Sequence, residues 1–265
     1  HHRRLARLPL LQRLTDAQVR AWRGRLANLP AIISKKKDGT VASRQRANAT
    51  LNRDMVPFRA ALNMAQSGGF VLSNLAWKKA LEPAPASGRR NTYLDKGQRA
   101  CLLDALEADD ARTFVTGLCL LPLRPGAMAS LKVGDFDART GELIIHSDKA
   151  GAGRKILLPA NIAGHLTALT AGQLASAPLY RRTDGRKWDK DAWKGPIRRA
   201  AAQASLPATV SAYTFRHSII TDLVQGGLDL LTIAQLSGTS VAMIEKHYGH
   251  LQQARAAQAL AALAI

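Results

Sequence analysis

Apolar residues recur every three or four positions along most of the chain, the spacing that places side chains on one face of an α-helix. This pattern predicts helices over residues 14–29, 43–66, 73–80, 94–106, 108–121, 161–174, 193–204, 211–226, 230–236, 241–247 and 252–265. Thr15 and Asp95 stand where helix N-caps are expected. Pro57 lies inside the second helical segment and predicts a kink or a break there.

Two short segments have the pattern of strands instead. Residues 142–146 and 155–158 flank a Gly-rich turn that carries Lys149. They predict a small antiparallel hairpin inside an otherwise helical region. The basic run 35–40 interrupts the helical pattern near the start of the chain, and it is interpreted either as a solvated loop or as a contact to phosphate.

The chain is predicted to form two domains. Residues 82–92 read EPAPASGRRNT, a composition typical of an extended linker. The boundaries are therefore placed at 1–81 for a helical domain, 82–92 for the linker and 93–265 for a mixed domain. Two basic domains on a basic linker suit a clamp around a duplex, and two independent modules are the alternative.

Charge points to the class of partner. The 265 residues include 38 Lys and Arg against 19 Asp and Glu, which gives a net charge of +19 and a pI near 10.8. Such an excess favours a polyanion such as nucleic acid, although a basic surface can also serve solubility alone. The predicted DNA contacts are the outer face of the second helix and the linker, through Arg44, Arg46, Arg53, Arg89 and Arg90.

Cysteines and apolar runs exclude several classes. Cys101 and Cys119 lie in apolar helical surroundings at a spacing that fits neither a disulfide framework nor a zinc site. We therefore expect buried free thiols, a reducing compartment and no metal. No apolar run approaches the roughly 20 residues that span a bilayer, so no membrane association is expected. The chain begins without methionine, which is consistent with a fragment.

Four residues have side chains suited to cleaving a phosphodiester through a covalent intermediate. Tyr248 is a candidate nucleophile, although a tyrosine hydroxyl with an ordinary pKa of about 10 needs an electropositive phosphate site. Arg124 and Arg216 offer planar guanidinium groups that match phosphate oxygens. Lys149, on its turn, is placed to reach a leaving oxygen as general acid. Taken singly, each arginine is more often a backbone-phosphate contact and each tyrosine a core residue.

The order of these residues and their local motifs carry more information. They comprise Arg124-Pro125-Gly126 after a helix, Lys149 in a strand turn, Tyr213-x-x-Arg216-His217, the run 227–240, and Lys-His-Tyr-Gly-His-Leu at 246–251. Together these motifs resemble the tyrosine recombinases, also called phage integrases. The resemblance implies a mainly α fold with a small antiparallel β-sheet, in which 1–81 is a helical core-binding domain and 93–265 the catalytic domain.

The resemblance also implies roles for the four residues. Arg124 and Arg216 would hold the scissile phosphate, and Lys149 would protonate the departing 5′ oxygen. Tyr248 would attack the phosphorus and leave a 3′-phosphotyrosyl bond with a free 5′ hydroxyl. Because that bond conserves the energy of the broken one, no cofactor is expected.

Three positions depart from the usual family pattern. Tyr213 stands where a histidine is common, Thr239 where histidine or tryptophan is common, and Ala127 where a glutamate is common. The hydroxyls of Tyr213 and Thr239 can still donate to a phosphate oxygen, but neither is a base near neutral pH as imidazole is. Compensation by a nearby histidine and a purely structural role are equally open for His217, His247 and His250.

The implied partners are double-stranded DNA, further copies of the chain in a tetramer on paired sites, and accessory DNA-bending proteins. The implied location is the cytoplasm, at the nucleoid of a bacterium or in a phage-infected cell. The apolar tail 252–265 is expected to dock on an adjacent subunit. The alternatives are a non-catalytic regulator that uses 233–244 as a helix-turn-helix, and a relaxing topoisomerase with the same chemistry.

Overall fold

The computed structural model describes residues 11–35, 39–86, 92–146, 153–261 and 263. The chain divides into two units, His1–Arg89 and Arg90–Ile265, and each has its own apolar core. Lys149, Arg89 and Arg90 lie outside the described residues.

In the part of the first unit that the structure describes, the main helices are α1 (Asp16–Asn28), α2 (Asn48–Ser67) and α3 (Leu75–Lys78). The Thr15 hydroxyl accepts from the backbone N–H of Gln18, whose side chain accepts from the Thr15 backbone, so the predicted cap is confirmed as a capping box. The most buried side chains come from all three helices and from the segments that flank α3: Val19, Leu51, Met55, Leu62, Val71, Trp77, Ala80 and Leu81.

Two strands lie on either side of the predicted basic loop, and the second one includes residues 43 and 44, where the start of a helix was wrongly predicted. Strands β1 (Ala31–Lys35) and β2 (Val41–Arg44) pair antiparallel, and α2 begins only at residue 48. The sequence pattern did not reveal these two strands because the hairpin buries neither of its central isoleucines: Ile32 and Ile33 are 71% and 61% exposed. A strand without a buried face has no alternating pattern to detect.

The sequence predicted a kink or a break at Pro57. The break was wrong, because α2 runs as one helix from residue 48 to 67 with Pro57 inside it. Both Pro57 and Arg53, whose carbonyl loses its helical donor, lie on the exposed face. Water can satisfy that carbonyl, while Leu51, Met55 and Leu62 pack the opposite face and hold the helix together.

The second unit is mainly helical, and its described residues include a small three-stranded sheet. Its elements are α4 (Lys96–Asp104), α5 (Asp109–Leu120), α6 (Pro125–Ser130), a 3₁₀ turn (Val133–Asp135), β3 (Phe136–Asp137), β4 (Glu142–Ile145), β5 (Arg154–Leu157), α7 (Ala160–Thr170), α8 (Lys190–Gln203), α9 (Ala212–Gln225), α10 (Leu230–Ser237), α11 (Val241–Tyr248) and α12 (His250–Ala261). The strands pair antiparallel in the order β3-β4-β5. The predicted hairpin is confirmed, and β3 adds a short strand that the pattern did not reveal.

Two apolar clusters fill the second unit. In the larger one Phe114 stacks on Trp188 and Trp193, with ring centroids 5.2 and 5.4 Å apart. The smaller cluster joins α9, α10 and α11 and leaves Tyr248 partly buried at its edge. This cluster fixes the helices on which three of the predicted site residues lie.

The cysteines only partly follow the expectation of buried thiols. Cys101 is exposed, because it lies on the outer face of the amphipathic helix α4. Cys119 is half-buried, and burial raises the pKa of its thiol to about 12.

Candidate active site

The C-terminal end of α10 gathers three arginines. A helix leaves its last carbonyls without helical donors, and here guanidinium groups take that place. Arg216 Nη1 donates to the Ser237 carbonyl at 2.7 Å, and Arg124 Nη1 donates to the Gly238 carbonyl at 2.6 Å. Arg154 Nη2 lies 3.5 Å from the carbonyl oxygen of Leu236. Consecutive carbonyls of one turn therefore orient side chains from α9, from the start of α6 and from β5.

Each of the two predicted arginines is held by its own local structure. Arg124 is the N-cap residue of α6, where Pro125 occupies the first helical position and has a favourable fixed φ. Arg216 follows the fully buried Phe215 on α9 and also donates to the carbonyl of Pro122. Arg216 thus links the segment just before Arg124 to the end of α10.

Gly238 allows this arrangement. It ends α10 in the left-handed conformation, with φ of +66°, and its N–H contributes to the cap. A Cβ atom at this position would lie 2.6 Å from Cζ of Arg154, so there is no room for a larger residue. The guanidinium of Arg154 therefore packs directly on the turn that orients Arg124 and Arg216.

Tyr248 is the last residue of α11, and its hydroxyl lies 3.0 Å from Nδ1 of His217. The two ring centroids are 5.3 Å apart. Burial raises the pKa of Tyr248, and the positive charge of Arg216 lowers it in part. The hydroxyl therefore stays protonated near neutral pH, next to a charge that favours its ionised form.

The remaining predicted residues differ in position. Thr239 is half-buried in the turn that binds the arginines, and its N–H donates to the Ala234 carbonyl. Tyr213 is 44% exposed and precedes His217 by one turn of α9. Lys149 belongs to the connection between β4 and β5, of which the structure describes only the two ends. At the second of these ends, Arg154 is the first residue of β5.

Helix α9 is anchored to the segment that opens the second unit. Asp222 Oδ2 accepts from Arg99 at 2.6 Å, and Asp222 Oδ1 accepts from the Tyr93 hydroxyl at 2.8 Å. The backbone N–H of Leu94 donates to the Ser218 hydroxyl at 2.9 Å. These contacts fix the helix that carries the reactive side chains.

The predicted DNA-binding arginines of the first unit are not equivalent. Arg44 and Arg53 are exposed. The side chain of Arg46 is only 13% exposed, pairs with Asp54 and donates to the Leu29 carbonyl at 3.1 Å. Its guanidinium thus joins the base of the hairpin to α2.

Two residues at the site, Arg154 and His217, have contacts that the sequence alone did not reveal. Arg154 was not singled out, because nothing in its neighbourhood separates it from other arginines of a basic chain. His217 was named in the motif 213–217 and as one of three histidines, but it was not connected to Tyr248, because that contact joins residues 31 positions apart. The run up to Gly238 did mark the turn, but not the side chains that pack on it.

Among the described residues, no group of three or more His, Cys, Asp and Glu side chains is arranged to hold a metal ion. None of the helices in the described ranges has the length and apolar character needed to cross a membrane.

The fold and the site together define a class of protein: a mainly helical unit in which arginines meet at one helix end and α9 links them to a tyrosine. The model of the phage integrase family matches residues 93–255. The chain belongs to this family, the tyrosine recombinases, and is therefore a site-specific DNA recombinase.

Solved structures agree with the fold. An integrase of the Tn1549 transposon, in complex with transposon right end DNA, superposes with a TM-score of 0.72 at 16% identity, over 95% of this chain and 87% of that one. A lambda integrase dimer bound to a core site gives 0.66 at 15% identity, over 89% and 80%. XerA recombinase gives 0.53 at 19% identity, over 80% and 82%. No sequence among the curated proteins matches the chain.

Proposed function

We propose that the chain cleaves and rejoins DNA with Tyr248 as nucleophile, through a 3′-phosphotyrosyl intermediate. The observation that carries this proposal is the binding of Arg124 and Arg216 to adjacent carbonyls of one turn, with the charge of Arg216 acting on Tyr248. Two preoriented cations beside a tyrosine hydroxyl form the site that attack on a phosphodiester requires.

In this proposal the arginines bind the non-bridging oxygens of the scissile phosphate. A guanidinium has several N–H donors in one plane, so a group oriented by a carbonyl can still bind a phosphate oxygen. Fixed positive charge at this point stabilises the extra negative charge of the pentacoordinate transition state. The hydroxyls of Thr239 and Tyr213 are the proposed additional donors.

Lys149 is the proposed general acid for the 5′ oxygen. Its assignment rests on the family resemblance and on its place in the connection between β4 and β5. Because Arg154 begins β5 and packs on Gly238, that connection ends next to the arginine site.

The proposal for the whole protein assigns core DNA binding to residues 1–81 and catalysis to 93–265, joined by the linker 82–92. Arg44 and Arg53 contact the duplex, with Arg89 and Arg90 of the linker, while Arg46 supports the unit that presents them. Four copies act on two DNA sites, and the tail 252–265 docks on the neighbouring copy. Accessory DNA-bending proteins and a cytoplasmic, nucleoid location belong to the same proposal.

The test is covalent capture from a pool of nicked duplexes with a randomised core, in which the short strand beyond the nick diffuses away after cleavage. The wild-type chain should yield an adduct that survives denaturation and enriches one sequence. The variant Tyr248→Phe should bind that sequence but give no adduct. DNA that is retained without any covalent product would instead support the helix-turn-helix regulator.

A further inference from the structure

Tyr248 needs a proton acceptor that the expected site residues do not supply. Its hydroxyl is protonated at neutral pH, because burial raises its pKa. The position where the family commonly has histidine holds Tyr213, whose phenol does not accept a proton as an imidazole nitrogen does. The turn position holds Thr239, a hydroxyl that is not a base near neutrality.

His217 is placed to fill this role. Its Nδ1 lies 3.0 Å from the Tyr248 hydroxyl, within the reach required of a general base. The ring is half-buried on α9, between the buried residues Phe215 and Ser218 and beside Arg216. The same helix thus carries a phosphate ligand and, at the next residue, a contact to the nucleophile.

We propose that His217 is the catalytic base for Tyr248, an inference that rests on the proposed function above. As the phenolic oxygen bonds to phosphorus, its proton passes to Nδ1, the P–O5′ bond breaks, and the 5′ oxygen takes a proton from the general acid. In rejoining, the 5′ hydroxyl attacks phosphorus and gives its proton back to Lys149, the bond from phosphorus to the tyrosine oxygen breaks, and His217 returns its proton to that oxygen. No oxidant, metal or other co-reactant takes part.

Charged and titratable groups near the His217 imidazole affect the proton transfer from Tyr248. On α9 the neighbouring groups are Arg216 and, one turn earlier, Tyr213; from α11 the facing group is Tyr248 itself. Helix α12, which also packs against α9, begins with the exposed His250. A phosphate bound by Arg216 would place negative charge beside this ring during the reaction.

The first test uses His217→Asn, because an asparagine side chain ends near the Nδ1 position and retains a hydrogen bond without being a base. Single-turnover cleavage of the captured nicked duplex should fall about 10²- to 10⁴-fold, while DNA affinity and the thermal unfolding midpoint stay within experimental error. The wild-type rate should rise with pH to a plateau as the acceptor loses its proton, and this rise should disappear in H217N. The matched control His250→Asn should keep both the rate and the pH profile.

A substrate with sulfur in place of the bridging 5′ oxygen separates the two proton transfers. A thiolate leaves without protonation at neutral pH, since a thiol has a pKa near 8.5. This substrate should restore cleavage by Lys149→Ala but leave H217N as slow as before. Restoration of H217N by sulfur, or a wild-type rate and pH profile for H217N on the oxygen substrate, would overturn the assignment.

If H217N does not fold, His217→Gly assayed with added imidazole replaces it, and a folded protein that imidazole fails to rescue contradicts the proposal. Failure of the proposed function itself looks different, because the wild-type chain would then give no adduct or Y248F would retain it.

Discussion

At the scale of single residues, Gly238 has more constraints on it than any other described position of the site. Its φ of +66° favours glycine, since a side chain there costs about 1–2 kcal/mol. A Cβ atom at this position would clash with the guanidinium of Arg154, and the Gly238 carbonyl orients Arg124. A change at this residue therefore moves two arginines at once.

We expect Gly238→Ala to reduce cleavage at least 10-fold and to lower the free energy of unfolding by about 2 kcal/mol, the left-handed strain plus displacement of Arg154. The same substitution is also made in the variant Arg154→Ala. This background removes the clash of the new Cβ with the Arg154 guanidinium but keeps the backbone strain at residue 238. The effect of G238A on stability should be smaller by about 1 kcal/mol in that background. Urea unfolding of the four proteins of this cycle measures it, and strictly additive effects would show that the Arg154 contact is unimportant.

The candidate site could be predicted from the sequence only in part, and the limit is physical. Arg124 and Arg216 were predicted because each belongs to a local motif, Arg-Pro-Gly after a helix and Tyr-x-x-Arg-His, and both meet at one turn in the structure. The roles of His217 and Arg154 depend on contacts between distant segments, to Tyr248 and to Gly238. No local spacing encodes such contacts.

At the scale of elements, the position of α9 depends on its anchoring to the segment 92–94 and to α4. Asp222 binds both Tyr93 and Arg99, and the side chain of Arg99 is only 8% exposed. Removal of one partner leaves a buried charge unpaired, which costs far more than the net gain of forming the pair.

Asp222→Ala should therefore lower the free energy of unfolding by about 2–4 kcal/mol and slow cleavage, since Arg216 and His217 lie on the same helix. The double variant Arg99→Met, Asp222→Leu removes both charges and should recover most of the stability. Chemical denaturation followed by circular dichroism distinguishes the two. Equal losses in the single and double variants would mean that the ion pair has no such role.

Helices were predicted more completely than strands, for a reason that specific elements illustrate. Helix α9 buries one continuous face, so its period is visible and its predicted start at Ser211 agrees with its N-cap. The hairpin β1–β2 has exposed isoleucines, and β3 spans only two residues. A strand is not detectable in a single sequence when its apolar and polar residues do not alternate, or when it is too short to show an alternation.

At the scale of the whole molecule, the charge of +19 implies DNA binding that weakens as salt increases, because bound phosphates release counterions. The structure separates arginines that can contribute to this effect from one that supports the fold. Arg44 and Arg53 are exposed, whereas Arg46 pairs with Asp54.

Arg53→Ala should weaken binding and reduce the slope of log K against log salt by about one, with little effect on stability. Arg46→Ala should instead lower the free energy of unfolding by about 1–2 kcal/mol, because the Leu29 carbonyl and Asp54 lose their partner. Fluorescence anisotropy at several salt concentrations, together with urea unfolding, checks both. A loss of stability in Arg53→Ala and a smaller salt slope in Arg46→Ala would refute the proposal that Arg53 contacts DNA and Arg46 supports the fold.

The C-terminal tail, residues 252–265, is the segment proposed to dock on a neighbouring copy of the chain. Helix α12 (His250–Ala261) exposes Leu260, and Leu263 beyond it is also exposed. Deletion of residues 252–265 should leave binding and cleavage of a single site within about 3-fold, since Tyr248 precedes the deletion, but should abolish pairing of two sites. Gel-shift and two-plasmid recombination assays measure these effects, and recombination at the full rate by the truncated protein would contradict the docking proposal.

The most direct test of the central claim is to identify the residue that becomes linked to DNA. The four tyrosines, at positions 93, 180, 213 and 248, lie in four different tryptic peptides, 91–96, 156–181, 200–216 and 247–255. After covalent capture, nuclease trimming and trypsin digestion, mass spectrometry should find the residual nucleotide on peptide 247–255, attached to Tyr248. A nucleotide on peptide 200–216, which contains Tyr213, or an adduct on none of the four, would contradict the account.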